Sequence, residues 1–336
     1  MTSAKTIKLS ANENHYGCSP FALEAIRKNI ENVHFYPEIN PIALKELLAV
    51  KFGVSVNNII VGAGSVRIID GLIQTFVGPG EEVLTFEKSF VAYGQFSEFH
   101  RRKCNFAPLS DFRCTPENLI PFINDRTRLI FIANPNNPTG TIISHAELDA
   151  FLNKISPNII VALDEAYAEY VTDSSFPNTI ELQKKHTNLV VLRSFSKIYG
   201  LAGLRIGYAM MEEGLAIKMT EGQIPFSLNY LSGKTAIAAL NDYEFILKSA
   251  EENAIQCAFL YDELINMGYN IIPSQANYLY LWFSEDAEKD KLYQNLRSNG
   301  ILVCDMNVFN QPKSLRIGIG DRDACIRIIE CLRKQK

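Results

Sequence analysis

Ser194-Phe195-Ser196-Lys197, with Arg205 eight residues beyond the lysine in Leu201-Ala202-Gly203-Leu204-Arg205-Ile206-Gly207, carries the residue types best suited to chemistry in this chain. Small hydroxyls, glycine and apolar residues surround Lys197, which is poor company for a solvated surface ammonium. A lysine in such a setting suits attack on a carbonyl once it has shed its proton, and an arginine nearby suits an anion. A cofactor with both an aldehyde and a phosphate would use the two groups together, and pyridoxal phosphate is that cofactor.

Three more segments offer complementary groups. In Val61-Gly62-Ala63-Gly64-Ser65 the small residues Ala63, Gly64 and Ser65 let backbone amides approach a phosphate at a helix start. Alone, the segment reads more readily as a tight strand-to-helix turn, and it lacks the Gly-Lys-Ser/Thr ending of a P-loop. In Asn134-Pro135-Asn136-Asn137-Pro138-Thr139-Gly140, two prolines and a glycine fix the backbone, so an asparagine held there suits a phenolate oxygen on a planar ring. Asp164 ends the apolar run Ile159–Leu163. A carboxylate at the mouth of a buried strand needs a cationic partner, such as a protonated pyridine nitrogen. A helix N-cap is the competing role for that aspartate. Tyr167, three residues on, is within reach of the ring oxygen.

These segments need a scaffold that brings strand ends together. Short apolar runs alternate with amphipathic stretches from about residue 55 to 210, the rhythm of a parallel α/β sheet. Strands are expected at 58–61, 82–86, 103–107, 128–132, 159–163, 189–192 and 206–210. Helices are expected near 20–31, 41–52, 66–77, 90–99, 116–123, 144–155 and 212–221. A long helical pattern over 229–267 then leads to strands at 278–283, 301–303 and 315–319, with a helix near 286–298. The fold class is α/β: a large domain with a mostly parallel seven-stranded sheet sandwiched by helices, plus a smaller α+β domain. The expected division is 30–240 for the large domain, and 1–29 with 241–336 for the small domain and its N-terminal arm. Open α/β sheets bind ligands beyond the carboxyl ends of their strands, where these motifs fall.

Composition narrows the partners. The 336 residues carry a net charge of −4 and no basic run, which disfavours nucleic acid and membrane surfaces. Seven scattered cysteines without metal-ligand spacing argue for a reducing compartment and against a metal site. The start of the chain is polar, and no apolar run is long enough to span a bilayer. The cytoplasm is the expected setting.

Phosphate turn, Asn-Pro-Thr-Gly, Asp-x-x-Tyr, Ser-x-x-Lys and Arg follow one another in an order that resembles the fold-type I, class I/II aminotransferases. Within them the chain is similar to the histidinol-phosphate aminotransferase branch, on Leu9-Ser10-Ala11-Asn12-Glu13-Asn14, Tyr36-Pro37, Asn134 to Gly140, Asp164 to Tyr167, Ser194 to Gly207, and Leu315-Arg316-Ile317. The resemblance implies that Lys197 bonds the cofactor and shuttles the proton at the donor's α-carbon. It pairs Asp164 with the pyridine nitrogen and turns Asn137 and Tyr167 toward the ring oxygen. Ala63, Gly64, Ser65, Ser194 and Arg205 would hold the phosphate. Phe90 falls where the family usually stacks a tyrosine on the ring. Tyr36 would reach the neighbouring subunit's phosphate, which implies a homodimer with shared active sites. Arg316, with Asn14 and Tyr16, would bind the amino donor and then 2-oxoglutarate. The implied setting is histidine biosynthesis.

Two departures bear on the donor. The family usually carries a second arginine some dozen residues before Arg316, where this chain has Cys304. A thiol cannot replace a bidentate guanidinium, though Arg322 or Lys313 could restore the charge. His15 stands where the family commonly has proline. These departures leave an aromatic or other amino acid, or a threonine-phosphate decarboxylase-like reaction, as alternatives. A sensor with an appended DNA-binding domain is disfavoured because none fits before residue 20. A dinucleotide-dependent dehydrogenase is disfavoured for want of its glycine fingerprint.

Overall fold

A run such as Leu129-Ile130-Phe131-Ile132 has no polar face to turn to water, so it must be covered on both sides. The computed structural model describes residues 6–334; residues 1–5, at the head of the polar N-terminus, and 335–336 lie outside the described residues. β1 (Ile7–Lys8) joins the C-terminal third and is placed below. The main sheet comprises β2 (Ile59–Gly62), β3 (Glu82–Phe86), β4 (Lys103–Ala107), β5 (Thr127–Ala133), β6 (Ile160–Asp164), β7 (Leu189–Ser194) and β8 (Gly207–Met210), in the order β2-β8-β7-β6-β5-β3-β4. The inner strands pair in parallel, while β8 runs antiparallel to both β2 and β7. All seven expected strands are present, with ends moved by one or two residues. One apolar core forms around Leu163, Val191 and Tyr208 on one face, and another around Phe131, Ala162 and Leu192 on the other.

The C-terminal third builds a second sheet from β9 (Asn270–Ile272), β10 (Tyr278–Trp282), β12 (Cys304–Asp305) and β13 (Ser314–Gly318), in the order β12-β13-β10-β9, while β11 (Ile301–Leu302) pairs in parallel with β1. Its core gathers Leu260, Leu279, Ile317 and Ile328, and takes in Leu9 from the N-terminal segment. The Leu9 amide donates to Leu302 and its carbonyl accepts from Gly318, which ties the first residues across the front of the molecule. Among the described residues no helix is long and apolar enough to cross a membrane.

Two expectations about helices are corrected, and two further helices are present. The pattern over 229–267 is two helices, Tyr230–Asn241 and Tyr243–Asn266, divided at Asp242. Its carboxylate accepts from the Phe245 amide to cap the second helix, and from Ser19 Oγ at 2.6 Å. Aspartate favours that capping geometry over continuing a helix. The segment 116–123 is a 3-10 helix, Pro116–Phe122, because Pro121 lacks the amide an α-helix would need. Helices Thr179–Lys185 and Arg322–Arg333 were not expected. The second was legible, since Asp321 caps it and Ala324, Cys325, Ile328, Ile329 and Leu332 recur at helical spacing on its buried side.

Asp242→Ala removes a cap and orphans the Ser19 hydroxyl, so it should lower stability by about 1–2 kcal/mol. Denaturant unfolding of parent and variant measures this, and unchanged midpoints would contradict the capping role.

Candidate active site

Three strands of the main sheet and the strapped N-terminal segment meet around a cavity of about 300 Å³. Its walls include Asp164, Tyr167, Ser194, Lys197 and Arg205, with Ser65, Phe90, Asn137 and Arg316, so residues spread over 250 positions converge. Asp164 is the last residue of β6 and is almost fully buried. It accepts from Tyr93 Oη at 2.9 Å and from the Ala166 amide at 3.2 Å. Burial lifts its carboxyl to about 6, against the pull of Tyr93, the Ala166 amide and the Lys197 charge. Lys197 follows β7 in a loop; its Nζ donates to the Ala11 carbonyl at 3.1 Å and stands 5.3 Å from the Tyr167 ring centroid.

Opposite Asp164 lies the small-residue turn. The helix Ser65–Phe76 has Gly64 as its N-cap, so no side chain caps the first turn and its amides are open to an anion. Gly64 has φ +81°, and a Cβ there would collide with the Arg205 guanidinium; a Cβ at Gly207 would strike the Ser65 amide. Arg205 Nη1 donates to Ser196 Oγ and the Ala202 carbonyl, and Ser194 Oγ accepts from the Ser196 amide. Ala63 and Gly64 form the turn behind Ser65 without lining the cavity. The result is a cradle of amides, hydroxyls and one guanidinium that only glycine at these positions permits.

Arg316 closes the other end. It lies on β13, nearly buried, and passes 5.4 Å from the Tyr278 ring and 6.0 Å from that of Phe309. Its Nη1 donates to Asn137 Oδ1 at 2.6 Å and its Nη2 to the Ser10 carbonyl at 2.9 Å. The guanidinium therefore orients the asparagine amide as well as facing the cavity. Cys304 is its direct cross-strand partner, so both side chains project from one face of the small sheet. Burial raises the Cys304 thiol while Arg316 pulls it down. Neither suggested substitute for the second arginine lines the cavity: Arg322 packs on the Phe259 ring, and Lys313 donates to the Ser284 carbonyl.

Other site candidates fall outside the cavity. Asn14 Nδ2 donates to the Ile198 carbonyl and Ser249 Oγ while its Oδ1 takes the Tyr16 amide, so it braces the N-terminal segment. Burial raises the Tyr16 phenol to about 12. Tyr36 is 80% exposed, lines a separate cleft and has its ring tilted against that of Phe226, 4.8 Å away. His15 faces Asp321. Sequence reasoning missed Tyr93, which stacks on Phe131 and meets the edge of Phe90 while bonding Asp164. It also missed the role of Asn12, whose Nδ2 donates to Tyr167 Oη at 3.1 Å from a left-handed backbone. Tyr93 lies in the first turn of the helix Ala92–Phe99, and its sequence neighbours carry no signal that singles it out.

The match to the family described as Aminotransferase class I and II runs over residues 4–332. The chain belongs to that family. It is 36% identical over 329 residues to a histidinol-phosphate aminotransferase of Moorella thermoacetica, covering 98% of this chain and 85% of the relative. Identity to a protein of the same name from an Anaeromyxobacter species is 39% over 316 residues, 94% of this chain and 86% of that one. The crystal structure of histidinol-phosphate aminotransferase from Sinorhizobium meliloti in complex with pyridoxal-5'-phosphate superposes with a TM-score of 0.91 at 26% identity, covering 99% of this chain and 92% of that chain. This protein is an aminotransferase on the fold-type I scaffold.

The raised Asp164 carboxyl fixes the sign of a pH effect. Its value in the fold lies above the ordinary 3.8, so folding is favoured most below about pH 4 and that advantage is lost as pH rises through 6. Cofactor-free Asp164→Asn should therefore be more stable than the parent at pH 8 by about 2–3 kcal/mol, with the gap closing near pH 4. Unfolding curves at both pH values measure it, and equal stability at pH 8 would contradict the account.

Proposed function

We propose that the protein binds pyridoxal phosphate and transfers the amino group of histidinol phosphate to 2-oxoglutarate. The observation that carries the cofactor reading is the convergence of Lys197, a buried Asp164 lacking a full cationic partner, and the Gly64 cradle on one cavity. The names of relatives at 36–39% identity support the donor.

The residues fit that cofactor. Ser65, Ser194 and Arg205, on the turn made by Ala63 and Gly64, would hold the phosphate. Phe90 would flank the ring, and Asp164 would pair with its nitrogen. Asn137 and Tyr167 would bond the ring oxygen, Asn137 through the amide that Arg316 orients and Tyr167 with Asn12 behind it. When bound, the cofactor supplies an electrophilic aldehyde and a ring that draws electrons from the donor's α-carbon. Lys197 Nζ would take the proton from that α-carbon and move it to the cofactor side. Tyr93 holds Asp164 in place, and the strap through Asn12 and Glu13 shields the cavity from water.

Arg316 binds the anion of whichever substrate is present, the phosphate of the donor or a carboxylate of the acceptor. Asn14 and Tyr16 contribute by holding the strap. Cys304 beside Arg316 favours a second reading, in which another amino acid whose carboxylate meets Arg316 is the donor. We also read residues 30–240 as a large domain and 1–29 with 241–336 as a small one; the core around Leu279 and Ile317 lies within the second, while Ala22, Ile246 and Tyr278 pack into the core of the first. Phe35, Tyr36 and Ile39 form an exposed apolar strip suited to a second copy of the chain, with sites shared in a homodimer. A cytoplasmic setting belongs to the same reading.

A donor panel tests this reading. Histidinol phosphate should exceed phenylalanine, tyrosine, histidine and threonine phosphate in kcat/KM by at least ~10-fold, with 2-oxoglutarate consumed and no carbon dioxide released. Lys197→Ala should abolish turnover and the visible absorbance of the bound cofactor. Carbon dioxide release from threonine phosphate, or a better aromatic donor, would overturn the substrate; an active Lys197→Ala would overturn the chemistry.

A further inference from the structure

Behind the sheet edge that carries Asp164 and Ser194 lies a buried ion cluster that the proposed chemistry does not touch. Successive residues of a strand face opposite sides, so Arg193 points away from the cavity that Ser194 lines. Its cross-strand partner is Tyr208, in the core on the far face. Arg193 Nε donates to Glu165 Oε2 at 2.8 Å, its Nη2 lies 2.6 Å from the same oxygen, and its Nη1 reaches Glu169 Oε1 at 3.2 Å. Glu165 has no exposed surface, and Thr179 Oγ1 adds a long bond to it. Burial raises the Glu165 carboxyl, and Arg193 opposes the rise.

Each member of this cluster adjoins a site residue. Glu165 follows Asp164, Glu169 lies two residues past Tyr167, and Arg193 precedes Ser194 and stands four residues before Lys197. One guanidinium thus clasps the end of β6, the turn after it and the end of β7. A buried ion pair adds little stability compared with apolar side chains of equal size, so stability alone does not account for it. We propose that Arg193 is a positioning residue that, through Glu165 and Glu169, sets the spacing of Asp164 and Tyr167 from Lys197. Lysine could keep the charge but could not bridge two carboxylates in a fixed fork. This inference rests on the cofactor reading above.

The test uses Arg193→Lys in the cofactor-loaded enzyme. The visible band that depends on Lys197 should shift its pH midpoint by about half a unit or more. kcat should fall about 10-fold while KM for the donor stays within about 2-fold, the mark of misplaced groups. Cofactor retention on dilution should weaken as well. A folded Arg193→Lys with the parental pH profile and kcat would overturn the proposal. Should that variant fail to fold, Glu169→Gln, altering a partly exposed carboxylate, decides in its place: a shifted band upholds the clasp and a parental one overturns it. A parent lacking any Lys197-dependent band would instead overturn the cofactor reading.

Discussion

Asp164 places a buried carboxylate on the wall of the cavity, and the surrounding structure is arranged around that charge. A buried carboxylate is expensive unless paired, and among the described residues Asp164 has a phenol and one backbone amide as direct partners. The Lys197 charge lowers its carboxyl, although Lys197 Nζ bonds the Ala11 carbonyl instead. Such a group is held ready for a cation that arrives with a ligand. The sheet makes this possible, because β6 is covered on both faces and delivers its last residue to the point where the helix Ser65–Phe76 also begins.

The second sheet and the strap complete the cavity from the other side. Leu9 is locked between β11 and β13, which presents Ser10, Ala11 and Asn12 to Arg316, Lys197 and Tyr167 in turn. Arg316 therefore touches the strap and the Asn137 turn at once. A charge bound at Arg316 would be felt at Asn137. Cys304, beside it on the neighbouring strand, leaves the cavity with three cationic side chains among its described walls: Lys197, Arg205 and Arg316.

Much of this was legible because it is written locally. The inner strands of the main sheet are mostly apolar runs, and the motifs that follow them keep their spacing whatever the packing. What sequence could not show were contacts across long separations. Tyr93 reaches Asp164 across 71 positions, and Arg316 reaches Asn137 across 179. Nothing in the neighbourhood of Tyr93 marks it as different from a core tyrosine. The break at Asp242 was hidden for the opposite reason, since the apolar pattern continues through it and only the capping geometry divides the helix. Arg322 and Lys313 were plausible replacements for the missing arginine in sequence, but each is held by a partner away from the cavity.

The demand that Asp164 makes on its ligand is open to direct observation. Nitrogen-15 NMR of the ring-labelled cofactor bound to the enzyme reports whether the pyridine nitrogen carries a proton. The parent enzyme should hold that nitrogen protonated at neutral pH, and Asp164→Asn should leave it unprotonated. A nitrogen that is unprotonated in the parent, or protonated equally in both, would contradict the claim that the buried carboxylate organises the site.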